Sequence, residues 1–128
     1  MAKKAPEETP DPRTLVPLTP AVFHIMLALA GGECHGYAIM LEVERLTSGL
    51  LNLGPGTLYR SIQRMLVDGL IEETKVLHES DLDDERRRYY RITKLGLEVA
   101  RAEAERLELL VYAARQRRLL PEKKGKRS

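Results

Sequence analysis

Apolar positions recur at helical spacing in the first half of the chain, alternate over a short middle stretch, and return to helical spacing at the end. The run AVFHIMLALA, from Ala21 to Ala30, is apolar nearly all round, which predicts a buried helix. Thr19-Pro20 supplies a capping hydroxyl and a first-turn proline, and Gly31-Gly32 stops the helix. A second helix follows Gly36 and runs to about Ser48, with Ile39, Val43 and Leu46 in one stripe and Glu42 and Arg45 facing out. Gly54-Pro55-Gly56 is a turn signal that places the start of a third helix at about Thr57. That helix sets Leu58, Ile62, Met65 and Leu66 on one face and ends at Gly69.

Leu70 to Leu77 and Arg86 to Thr93 read as two strands around the polar, acidic tip HESDLDDE. In the second strand Arg88, Tyr90 and Ile92 alternate with Arg87, Tyr89 and Arg91, so Tyr90 and Ile92 can pack inward. The last helix is expected from near Thr93 to about Arg118. Its Leu97, Ala100, Ala104, Leu107, Val111 and Ala114 step by three and four, giving three heptads of a seam for a partner helix. Packing back onto its own domain is the competing use of that seam, and the two uses can coexist along one helix.

Three helices, two strands and a long helix make a mainly α fold with a small β-hairpin. The order is that of a winged helix-turn-helix followed by a long C-terminal dimerisation helix. Four segments are expected: a disordered Pro-rich arm at 1–17, the winged domain at 18–93, the dimerisation helix at 94–118, and a basic disordered tail at 119–128.

A length of 128 residues suits one domain. With no Trp, one Phe and five Tyr, the core must be built mainly from aliphatic side chains. The net charge of +2 looks unpromising for a nucleic-acid partner until it is divided along the chain. Residues 1–17 are neutral, 18–114 carry net −4, and 115–128 carry net +6. Any DNA-binding face is therefore a local patch on a mildly acidic body. The single Cys34 excludes an intramolecular disulfide. The polar N-terminus does not read as a secretory signal. The longest apolar stretch is far short of the ~20 residues that span a bilayer. A cytoplasmic protein without membrane association is expected.

The apolar face of the third helix turns Thr57, Tyr59, Arg60, Gln63 and Arg64 toward solvent or a partner. Arginine can bind a guanine edge with two hydrogen bonds and glutamine an adenine edge. Thr and Tyr hydroxyls suit phosphate oxygens, which fix register rather than sequence. In the hairpin, Arg86, Arg87, Arg88 and Arg91 surround Tyr89 and Tyr90. They either reach phosphates and the minor groove, or pair with the acidic tip of Asp81, Asp83, Asp84 and Glu85. Cys34 beside His35 is a poor basis for a nucleophile and base, because sequence neighbours need not face each other and no third group is evident. No catalytic residue, metal site or cofactor is assigned. His24, the polar side chain of the first helix, is either hydrogen-bonded at an interface or a pH-sensitive group.

HGYAI at 35–39, GPGTLYRSIQRMLVDGLIE at 54–72 and RRYYRITKLG at 87–96 resemble the PadR family of transcriptional regulators, in its short form with one C-terminal helix. The resemblance implies a homodimeric repressor of a palindromic operator on double-stranded DNA. It also implies that the region of His35 and Tyr37 touches phosphate; packing of Gly36 and Tyr37 on the core is the other reading. Phe23 joins Leu97, Ala100, Ala104, Leu107, Val111 and Ala114 in the expected dimer interface. Some family members stack flat aromatic effectors on tryptophans at that interface. This sequence has no Trp, which speaks against that mode and leaves any small-molecule effector without an identity. The alternative reading is a winged-helix module that binds protein through the acidic body.

Overall fold

The computed structural model describes residues 9–74 and 88–122. Its helices are α1 (Pro20–Ala30), α2 (Gly36–Leu46), α3 (Pro55–Val67) and α4 (Lys94–Gln116). The strands β1 (Cys34–His35), β2 (Ile71–Glu73) and β3 (Tyr89–Ile92) form an antiparallel sheet in the order β1-β3-β2. α1 lies at the centre and packs on α2, α3, α4 and β3. The core joins Ile25, Met26 and Leu29 of α1 to Ile39 and Val43 of α2, and to Leu58, Ile62 and Met65 of α3. Ile71, Tyr90 and Val99 close it from the sheet and α4.

Local chemistry sets the helix boundaries. Thr19 Oγ1 accepts from the Val22 N–H at 3.2 Å, with Pro20 opening α1. α3 begins at Pro55, two residues before the expected Thr57, because proline fits a first helical turn whose N–H has no partner. Between α2 and α3, Thr47 Oγ1 donates to the Val43 carbonyl and accepts from the Leu51 N–H, each at 3.0 Å. Gly49, with φ of 82°, completes that turn in a conformation open to glycine.

Three expectations change. First, residues 12–17 do not belong to a disordered arm. Asp11 accepts from the Arg13 N–H at 3.0 Å and opens a 3-10 turn over Pro12–Leu15. Leu15, Val16 and Leu18 then pack against the core. Second, β1 is an additional strand: Cys34 pairs with Tyr90 and His35 with Tyr89. Third, the described strands are shorter than expected. Residues 75–87, with the acidic apex, Arg86 and Arg87, lie outside the described residues, as do residues 1–8 of the arm and 123–128 of the tail.

Thr93 caps α4 by accepting from the Gly96 N–H at 3.0 Å. The face of α4 turned to its own domain carries Gly96, Val99 and Glu103, so the buried stripe is rotated from the sequence seam. Glu103 is 2% exposed. It accepts from Arg106 Nε at 2.9 Å, Arg106 Nη2 at 2.7 Å and the Leu18 N–H at 3.3 Å. A polar group thus serves as a clamp between α4 and the N-terminal segment.

Hydrogen bonding from Arg106 holds the Glu103 carboxyl below its usual range; the Leu18 N–H and the arginine charge add to this, against the opposing effect of burial. A depressed folded-state pKa contributes stability above the unfolded carboxylate pKa and loses it as pH falls through the folded value. Acid melts from about pH 5 downward are therefore expected to fall more steeply for the native chain than for Glu103→Gln. Glu103→Ala is expected to lose roughly 1–3 kcal/mol at neutral pH, read by denaturant titration.

Candidate nucleic-acid interface

α3 is two-sided. Leu58, Ile62 and Met65 are fully buried, while Thr57, Tyr59, Arg60, Gln63 and Arg64 are exposed. Burial of one face fixes the rotation of the helix, and hence the direction of these five side chains. Gly54 at the N-cap of α3 supplies no side-chain cap, so the first-turn N–H groups have no capping partner among the described residues. Arg60 has neither an ion pair nor a hydrogen bond to another described residue. Arg64 Nε donates to Asp68 at 3.2 Å, one turn along the helix.

A chain of contacts carries this surface from α3 to the sheet. The Tyr59 ring stands over Gly36; a Cβ there would lie 2.5 Å from the tyrosine oxygen. Glycine at 36 therefore lets α3 approach the start of α2. Next to it, His35 Nδ1 accepts from the Ala38 N–H at 3.2 Å and caps α2. That bond leaves Nε2 as the ring nitrogen facing other partners. The His35 ring meets Tyr89 edge to face, with centroids 5.4 Å apart. Tyr37 is 59% exposed rather than packed on the core.

In β3, Tyr90 is buried and Arg91 exposed, as alternation requires. Tyr89 and Arg91 share the outer face, and His35, opposite Tyr89, extends that row onto β1. The arginines do not stand free. Arg91 Nε donates to Glu72 at 2.6 Å and Arg88 Nε lies 3.5 Å from Glu73. Among the described residues their partners are the glutamates of β2; the acidic apex lies outside the described residues. Sequence pattern alone places Glu72 and Glu73 in a strand; the antiparallel register that sets Glu72 opposite Arg91 is tertiary information. Arg87 belongs to the undescribed segment.

The expected dimer residues divide along α4. Leu97, Ala100, Leu107 and Ala114 are half-buried, and Ala104 and Val111 are exposed. Ala100 contributes to the domain core, while Leu109, Leu110 and Tyr112 add to an exposed apolar surface on the later turns. Leu109 and Tyr112 fall outside the a/d seam, which is why spacing alone passed over them. Phe23 is half-buried on α1, edge to face with His24 at 6.4 Å.

The His24 Nδ1 lies 2.6 Å from the Pro20 carbonyl oxygen, a geometry that requires a proton on that nitrogen. The Cys34 thiol donates to the Gly32 carbonyl at 3.6 Å. Burial pushes its pKa up, and the charges of Glu42 and Glu33 add to the effect. An activated nucleophile needs the opposite shift. No helix among the described residues is long and apolar enough to cross a membrane.

The model of a family described as "Transcriptional regulator PadR-like family" matches residues 25–102. Solved structures agree with it. A transcriptional regulator from Clostridium thermocellum is 26% identical, with a TM-score of 0.63 over 75% of this chain and 87% of that one. A PadR family transcription regulator from Clostridium difficile has the same fold, at 20% identity and a TM-score of 0.62 over 77% and 97% of the two chains. RosR of H. salinarum is 24% identical, with a TM-score of 0.55 over 75% and 76%. No curated protein matches the chain.

Proposed function

The chain belongs to the PadR-like family of transcriptional regulators, and from that premise we propose that it is a cytoplasmic, homodimeric repressor of a palindromic operator on double-stranded DNA. The observation that carries this reading is α3: a helix locked by three buried residues, presenting Thr57, Tyr59, Arg60, Gln63 and Arg64 together. In this reading Arg60 and Gln63, one turn apart, reach base edges from the major groove. Tyr59, Thr57 and the first-turn N–H groups hold phosphates. The outer row of His35, Tyr89 and Arg91, with Arg88, Arg87 and Tyr37 around it, takes the flanking backbone.

The exposed apolar turns of α4 supply the dimer contact in this reading, to which the half-buried Phe23 of α1 is added. Two-fold symmetry then sets two recognition helices about 34 Å apart, one turn of DNA. No catalytic group enters this mechanism, and no effector is assigned.

The test is to select a duplex from random sequence with the purified protein and compare it with its scrambled counterpart at fixed salt. The selected duplex is expected to read as an inverted repeat, to bind as a dimer, and to exceed the scrambled one by about 10³-fold or more. Equal, weak binding to both overturns the proposal and favours a protein-binding module.

A further inference from the structure

Three of the four described arginines of α3 and the hairpin are held by carboxylates of their own fold. Arg91 is held by Glu72, Arg88 by Glu73 and Arg64 by Asp68. Two of the carboxylates are neighbours on β2, so their side chains leave on opposite faces of the strand. Glu72 meets Arg91 on the outer face, and Glu73, opposite Tyr90, meets Arg88 from the other side at the strand's open end. The pairs remain open to water: Arg91 and Glu72 are 58% and 48% exposed, and Arg88 and Glu73 are 51% and 38% exposed. Pairs this exposed add little to fold stability and are exchanged at small cost. Their main consequence falls on whatever else the arginines bind.

We propose that Glu72 and Glu73 are internal competitors of phosphate, which weaken the hold of the wing on any duplex whatever its sequence. This rests on the DNA-binding reading above. An arginine already neutralised by a carboxylate must exchange partners to meet a phosphate, and it releases fewer counterions when it does. The displaced carboxylate stays within a Debye length of the DNA and repels it. The wing thus contributes less sequence-independent affinity than its arginines suggest, and binding depends more on α3.

The experiment measures binding of the scrambled duplex across a salt series by native protein, Glu72→Gln, Glu73→Gln and the double variant. Glu105→Gln serves as the control: it makes the same change in net charge on an exposed turn of α4. Each wing substitution is expected to tighten scrambled-duplex binding roughly 2–5-fold at low salt, the scale of an exposed ion pair. The salt dependence is expected to steepen by up to about 0.9 in log–log slope per freed arginine. Unchanged affinity, or an equal gain in Glu105→Gln, overturns the proposal. A loss of affinity overturns it too, since the carboxylates would then be holding the arginines in a productive pose. Preference for the selected duplex is read separately in native protein, so failure of the DNA-binding reading is distinguished from failure of this one.

Discussion

Gly96→Ala is expected to lower the melting temperature by roughly 10–20 °C, corresponding to a loss of about 2–4 kcal/mol. Alanine favours a helix interior over glycine by about 1 kcal/mol, so propensity alone predicts a gain. The surroundings reverse that sign. A Cβ at position 96 would overlap the Leu70 carbonyl oxygen and lie 2.7 Å from Ile92 Cγ1. The carbonyl has little freedom to retreat. It accepts from the Thr93 N–H at 3.0 Å and from Thr93 Oγ1 at 3.1 Å, and the same threonine caps α4. The entry to β2, the exit from β3 and the first turn of α4 meet at this point. The matched control is Gly56→Ala in α3, where the nearest contact of a new Cβ is Arg60 Nη1 at an ordinary 3.9 Å. Thermal melts of the two variants separate them: Gly56→Ala is expected to hold or gain stability. Equal melting temperatures for Gly96→Ala and the native chain would show that the junction yields.

The same junction illustrates which information is local and which is not. Helical spacing identified the buried face of α3 because Leu58, Ile62 and Met65 meet the core along one stripe. Alternation likewise put Tyr90 inside and Arg91 outside. On α4, spacing did not pick out the face turned to its own domain. The three- and four-residue steps from Leu97 to Ala114 make a regular seam, but the intramolecular face runs through Gly96, Val99 and Glu103, two of which carry no apolar side chain. A buried carboxylate becomes legible only when Arg106 and the Leu18 N–H are seen around it. β1 is too short to have a periodicity, and its existence depends on pairing with β3, more than 50 positions away. The Pro-rich composition suggested disorder at the N-terminus, although Asp11-Pro12 is a helix-start pair and Leu15, Val16 and Leu18 had apolar surface to bury. The surface row joining Tyr59, His35 and Tyr89 likewise depends on tertiary approach.

Arg60→Ala is expected to weaken binding of the selected duplex by about 1–3 kcal/mol, or roughly 5–150-fold, and to relax discrimination at one position of each half-site. Arg60 is the natural first test because its guanidinium holds no described partner, whereas Arg64 is already engaged by Asp68. A base contact made by Arg60 therefore requires no ion-pair exchange. Arg64→Ala also leaves the Asp68 carboxylate facing the DNA, so its effect mixes a lost contact with added repulsion. Asp68→Asn in the Arg64→Ala background removes that repulsion and is expected to recover part of the lost affinity. The two arginines should consequently differ in kind. Arg60→Ala lowers the ratio of selected to scrambled binding, whereas Arg64→Ala weakens both duplexes and does so most at low salt. Anisotropy titrations of both duplexes at two salt concentrations measure the difference. An equal loss on both duplexes for Arg60→Ala would assign that residue to phosphate, and unchanged affinity in both variants would remove α3 from the role of reading helix.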